Sequence, residues 1–154
     1  MTFILKGIAR RAAKRAPMEA LIHSTISQAT GVQGDFRGKP SKRQVTILSE
    51  ESWKTVEQEY GAPLDWLIRR ANLLVAGITF NHESIGNTLT IGQAVLEITK
   101  ECDPCYRMDE QVKGLQKRLT PAFTGGVCCK VIRGGSIHVG DQVILGQPHQ
   151  PKLI

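Results

Sequence analysis

No aspartate or glutamate precedes Glu19, whereas Lys6, Arg10, Arg11, Lys14 and Arg15 all do. The chain therefore opens on five cations without a counter-ion, and most of its net charge of +6 lies there. Aromatic side chains are also scarce: two Trp, two Tyr and four Phe in 154 residues. So few stacking platforms argue against a nucleic-acid partner, despite a pI near 9.4. No apolar run approaches the roughly 18 residues that a membrane-spanning helix needs. None suits the apolar core of a secretory signal either, so no membrane association is expected and the cytoplasm is the expected location. Repeats, low-complexity tracts and linkers are missing too. A single domain over residues 1–147 is expected, with a loose tail over 148–154 marked by Pro148 and Pro151. There is no Gly-rich phosphate loop, Walker motif or Ser/His/Asp arrangement. The histidines at 23, 82, 138 and 149 show no metal-ligand spacing.

What remains is an ordinary globular composition, 41% hydrophobic and 22% charged. Residues 3–8 read as an opening strand. A turn-rich stretch from Thr30 to Ser41 is followed by alternation from Arg43 to Leu48, with Val45 and Ile47 on one face and Gln44 and Thr46 on the other. Ser49 offers an N-cap with Glu50 and Glu51 in the first helical turn; Trp53, Val56 and Tyr60 share one face, and Gly61 stops the helix. Asn72–Ala76 reads as a buried strand. A turn at Gly92 precedes a strand carrying Ala94, Leu96 and Ile98 on one face. Met108, Val112, Leu115 and Leu119 fit a second amphipathic helix, weakened by Gly114. Strands return at 127–132, 137–139 and 143–145, separated by Gly134-Gly135 and Gly140-Asp141. Short strands between glycine turns, with two helices, predict a barrel or sandwich with helices packed outside.

Two constellations could carry chemistry. The first is Cys102-Asp103-Pro104-Cys105, between a strand and a helix. A thioredoxin-like dithiol would need βαβ units that this pattern does not offer. Zinc would need a second ligand pair, and adjacent Cys128 and Cys129 should point to opposite faces of a strand. Two buried thiols packed as small apolar groups is the structural alternative, better suited to Cys128 and Cys129. Arg107 and a helix start beside Cys105 make it a candidate soft ligand or nucleophile. The second constellation is Lys42, Arg43 and Gln44 with Arg69, Arg70 and Asn72, each set at the start of a predicted strand. Such donors suit phosphate or carboxylate, or are ordinary solvated charge. The basic opening segment stays open between a transit-type leader, a polyanion stripe and a solvated strand and loop.

Several segments together resemble one family. Gly31-Val-Gln-Gly-Asp35 with Gly38-Lys-Pro-Ser-Lys-Arg-Gln-Val-Thr46, Arg69-Arg-Ala-Asn-Leu-Leu-Val-Ala-Gly77, Leu89-Thr-Ile-Gly92, Cys102-Asp-Pro-Cys-Tyr-Arg-Met108 and Arg133-Gly-Gly-Ser-Ile-His-Val-Gly-Asp141 are similar, in order and spacing, to the signatures of the MOSC domain. This is the C-terminal domain of molybdenum-cofactor sulfurases, and the resemblance is to its short stand-alone bacterial form. It implies a mainly β fold, a mostly antiparallel β-barrel with peripheral helices, in which Arg10 and Arg11 belong to the first strand region. It also implies a molybdenum cofactor (molybdopterin), with Cys105 as metal ligand and catalytic thiol. Lys42, Arg43, Gln44, Arg70 and Asn72 would be cofactor-binding residues. The implied activity is oxo transfer from N-hydroxylated substrates, with an electron-donor reductase in trans. The alternatives are a sulfur carrier served by a cysteine desulfurase, with persulfide on Cys105, and a non-catalytic cofactor-binding module. The chain departs from many relatives in reading Phe36 and Arg37 where a histidine follows the first Gly-Asp.

Overall fold

A computed structural model describes residues 2–148. Its strands are β1 (Thr2–Arg10), β2 (Glu19–Leu21), β3 (His23–Ser27), β4 (Gly31–Val32), β5 (Val45–Ser49), β6 (Leu73–Ala76), β7 (Asn87–Ile91), β8 (Ala94–Glu101), β9 (Val127–Arg133), β10 (Gly135–His138) and β11 (Gln142–Pro148). The helices are α1 (Glu50–Tyr60), α2 (Met108–Gln111) and α3 (Leu115–Leu119), with single 3-10 turns at Trp66–Arg69 and His82–Ser84. Of the expected tail, residues 149–154 lie outside the described residues, and β11 runs on to Pro148.

Seven strands pair in the order β11-β7-β8-β9-β5-β6-β1, and β11 pairs back onto β1 through Phe3↔Val143 and Ile4↔Gln142. The sheet is thus a closed barrel, which leaves these strands no open edge for another chain to pair with. Every pairing is antiparallel except β5–β6. The parallel pair needs a crossover, and α1 with the 3-10 turn at 66–69 supplies it outside the barrel. The interior holds the inward residues of each strand: Leu5, Ile8, Ile47, Leu73, Val75, Leu89, Ile91, Leu96 and Ile98 are all essentially inaccessible. A second apolar layer lies on the outer face of β5 and β6, where Leu48 and Leu74 meet Trp53, Val56, Met108, Leu115 and Leu119. A small sheet, β10-β3-β4, packs on the barrel separately.

Local chemistry explains the α1 boundaries. Ser49 Oγ accepts the Ser52 N–H (3.2 Å) while donating to the Ile78 carbonyl (2.6 Å), so one hydroxyl ends β5 and caps α1. Gly61, at φ 91°, closes the helix by donating its N–H to Glu57. Trp53 and Val56 are buried as their spacing predicts, but Tyr60 stays 42% exposed beneath the Arg118 guanidinium. The single helix expected over Met108–Leu119 is instead two short ones. Val112 is extended (φ −147°, ψ 125°) and Gly114 takes φ 81°. Met108, Leu115 and Leu119 nevertheless all reach the same apolar layer, so the break keeps the apolar face that the spacing predicts.

Cys128 and Cys129 do face opposite ways. Cys129 belongs to the barrel interior, whereas Cys128 lies outside that core, beside Cys102. Gln44, immediately before β5, does not face solvent as the alternation predicts but is buried at 2% exposure, its amide bonded to the Gln28 and Gly38 carbonyls and to β9.

Candidate functional site

The chain leaves the barrel at the end of β8, and the geometry there begins with backbone pairing. Cys102 continues the β8–β9 ladder by one bond, its N–H donating to Gly126 O (2.9 Å). Its thiol consequently stays near β9, within hydrogen-bonding reach of Cys128. Arg69, at the end of the 3-10 turn, packs against it and is only 7% exposed. The guanidinium donates to Gly125 O (3.1 Å), Cys102 O (3.0 Å), Cys102 Sγ (3.3 Å) and Met108 Sδ (3.6 Å). Gly125 is required by this packing, since a Cβ there would stand 2.7 Å from Cys102 O and 3.1 Å from Arg69 Nη2. The Cys102 thiol is therefore held below the ordinary thiol range, at about 6, first by the Cys128 hydrogen bond and then by the Arg69 and Arg43 charges acting against burial. The complementary effect falls on Cys128, which donates to Cys102 and is held high. Burial holds Cys129 high as well.

Above this buried pair lies a cleft of about 150 Å³ whose walls carry six arginines: 11, 37, 43, 69, 70 and 107. Only two acids, Asp35 and Asp103, face the same space. The Asp35 carboxylate is already engaged, accepting the backbone N–H of Arg11 (3.0 Å) and of Arg37 (3.2 Å). Arg70 sits at φ 65°, an uncommon conformation for a residue with a Cβ and one that clusters at functional sites. Its guanidinium donates to the Ala16 carbonyl. Burial lowers the Arg70 pKa, and burial followed by the Arg70 and Arg37 charges lowers that of Arg11. Like charges gathered at a partly desolvated surface raise the free energy of the empty cleft, which a bound anion lowers again.

The residues expected from sequence divide here. Arg70 and Arg43 line the cleft, and Cys105 lines it as an exposed thiol. Asn72 lines it too, but its amide is largely committed: Oδ1 accepts the Thr46 N–H (3.0 Å) and Nδ2 donates to Ala9 O (3.1 Å). Gln44 does not reach the cleft. It ties loops to the barrel, donating to Gln28 O (2.7 Å) and Gly38 O (2.9 Å) and accepting the Val131 N–H (2.9 Å). Lys42 faces an adjoining hollow rather than the cleft. The spacing argument gave thiolate character to Cys105, whereas the cation–thiol contact falls on Cys102. Arg11, Arg37 and Arg107 were not singled out as site residues. Apart from the place of Arg107 beside Cys105, their signal was arginine recurring at the edge of each turn-rich segment, at 10–11, 37, 69–70 and 107. Among the described residues, no three His, Cys, Asp or Glu side chains converge to hold a metal ion. A metal bound here would need most of its ligands from a molecule it arrives with.

The family model for the MOSC domain matches residues 30–144. The chain belongs to the MOSC domain family. Solved structures agree with the fold. The YuaD protein from Bacillus subtilis superposes with a TM-score of 0.83 at 19% identity, covering 97% of this chain and 98% of that one. YiiM from Escherichia coli gives 0.74 at 14% identity, covering 96% and 70%. YiiM from Geobacillus stearothermophilus gives 0.71 at 16%, covering 94% and 73%. No curated protein matches. The MOSC family is associated with molybdenum-cofactor binding, and the donor set of this cleft fits such a group: soft thiols beside cationic forks.

Proposed function

We propose that the cleft binds a molybdenum–pterin cofactor and that the protein is an oxidoreductase for N-hydroxylated substrates. The observation that carries the reading is one cleft holding six arginines and an exposed cysteine. Such a cofactor supplies two-electron oxygen-atom transfer and brings its own sulfur ligands to the metal. The chain's own residues do the rest. Cys105 offers a soft sulfur donor at the wall, and Arg70 with Arg11 offers planar donors to a phosphate. Asn72 Nδ2 keeps one N–H beyond its bond to Ala9 for a ring acceptor. Arg69 holds no ligand; it braces the 102–108 loop from beneath, through Cys102 and Met108. At about 150 Å³ the cleft is smaller than the 300–1,000 Å³ of pockets that engulf a drug-sized ligand, so part of the cofactor stands outside it, open to substrate and donor.

The test is metal content of the purified holoprotein and of its Cys105→Ala variant, alongside reduction of an amidoxime with a supplied donor reductase. Molybdenum lost from a folded variant supports the ligand assignment. Molybdenum retained undiminished removes it. The exposure of Cys105 also favours the sulfur-carrier reading, because a thiol at the surface can accept sulfane sulfur from a desulfurase persulfide. Incubation with a cysteine desulfurase and cysteine should then add one sulfur atom to Cys105 by mass. No gain on any thiol would dispose of that reading.

A further inference from the structure

Beside the cleft lies a second hollow, of about 400 Å³, whose charge the cleft's chemistry leaves unexplained. Arg37, Lys39, Lys42, Arg43 and Lys100 line it together with Phe36, and no acidic residue lines it among the described residues. None of the ion pairs among the described residues involves any of these five cations. Four of the five come from one loop, residues 37–43, and its shape is fixed from below. Gly38 packs with no room for a side chain, a Cβ there meeting Thr30 O at 1.6 Å, and its carbonyl accepts from buried Gln44. The fifth, Lys100, comes from β8 on the opposite side. Thr99 of the same strand donates to the Lys42 carbonyl, which ties the two sides together. The backbone that carries these exposed cations is therefore tied to the barrel, which keeps the loop beside the strand that bears Lys100.

The hollow and the cleft share part of their walls. Arg37 and Arg43 line both. A phosphate in the cleft would share these two guanidinia with an anion in the hollow, and two anions that share cations are most simply two phosphates of one ligand.

We infer that the hollow is a second phosphate subsite, and that cleft and hollow together take a ligand carrying a diphosphate, as in a nucleoside diphosphate unit. The inference deepens the cofactor reading, in that it names a diphosphate as the anionic part of the ligand. It requires only that the cleft bind anions, so it can fail while molybdenum binding stands. Lys39 and Lys100 line the hollow and not the cleft, and so separate the two subsites.

The experiment is calorimetric titration of the cofactor-free protein with inorganic phosphate and with pyrophosphate at fixed ionic strength. The variants are Lys39→Glu/Lys100→Glu and, as a control of equal charge change on exposed cations elsewhere, Lys113→Glu/Lys117→Glu. The expected result is pyrophosphate binding at least about tenfold tighter than phosphate, consistent with two added charge-assisted contacts. That ratio should collapse towards unity in the first variant and persist in the control. Equal affinity for the two anions, binding of neither, or equal losses in both variants would overturn the inference. So would a hollow that serves only an acidic protein: the first variant would then weaken donor docking while leaving the pyrophosphate preference intact. Molybdenum content, measured separately, reports on the cofactor reading alone.

Discussion

The barrel interior and the cleft obey opposite rules. In the interior the packed side chains are apolar and buried, strands close on themselves, and each local preference agrees with the whole. At the cleft, six arginines share a partly desolvated space with two acids, one of them already engaged, and Arg70 holds a left-handed backbone. The interior is complete as it stands. The cleft instead gathers like charges that the fold does not need, and on the function proposed above an anion would offset them.

Substitutions should separate the two regions by size of effect. Leu96→Ala, in the inaccessible interior, should cost about 2–5 kcal/mol in urea unfolding and leave anion affinity unchanged in the population that remains folded. A loss below 1 kcal/mol would mean the interior is not packed as described.

Arg69→Ala tests the boundary between the regions. It removes the donors to Gly125 O and Cys102 O and the cation beside Cys102 Sγ, and should cost about 1–3 kcal/mol. It should also raise the Cys102 pKa, followed by thiolate ultraviolet absorbance. An unmoved titration would show that Arg69 does not act on the thiol.

The Cys102–Cys128 pair predicts a pH dependence of definite sign. The folded Cys102 thiol lies at about 6 against an ordinary 9.0, so between those values the unfolded chain binds the extra proton. Its contribution to stability is fully present above about 9 and is lost as pH falls through about 6. Wild type should therefore gain stability over Cys102→Ser as pH rises through that window. Parallel curves for the two proteins would contradict it.

Smaller still is Gly114→Ala. The φ of 81° favours glycine, and a Cβ would crowd only the flexible end of Arg118, so a cost of about 1 kcal/mol is expected by chemical denaturation. A gain in stability would show that α2 and α3 can merge. Lys54→Ala, which breaks the exposed pair with Glu50 (3.4 Å), should change stability by no more than about 0.5 kcal/mol.

How much of this was legible in the sequence follows the same division. The Ser49 cap, the Gly61 stop, the alternation of β8 and the turns at Gly92 and Gly140 depend on neighbours a few residues away, and they read directly. Closure of the barrel does not, because β1 pairs with β11 across nearly the whole chain. The split at Gly114 was misread as a weak point within one helix, since periodicity over Met108–Leu119 is kept by both arrangements. Gln44 looked like a phosphate donor because a polar residue on an alternating strand is expected to face solvent. Only the loops from Gln28 to Gly38, folded over it, make it a brace. Arg69 and Arg70 are adjacent, chemically identical and both line the cleft, yet Arg69 is a buried strut bonded to the 102–108 loop and Arg70 is only part-buried. The 3-10 turn that ends at Arg69 and the left-handed backbone of Arg70 itself leave no mark on composition or period.

The most direct test of the central claim, that this cleft exists for a molybdenum–pterin cofactor, is the molybdenum content of protein purified without oxygen from a cofactor-overproducing host and from a cofactor-deficient one. The account predicts near-stoichiometric molybdenum in the first preparation and none in the second. Molybdenum absent from both would contradict it, and the arginine cleft would then have to serve another anion.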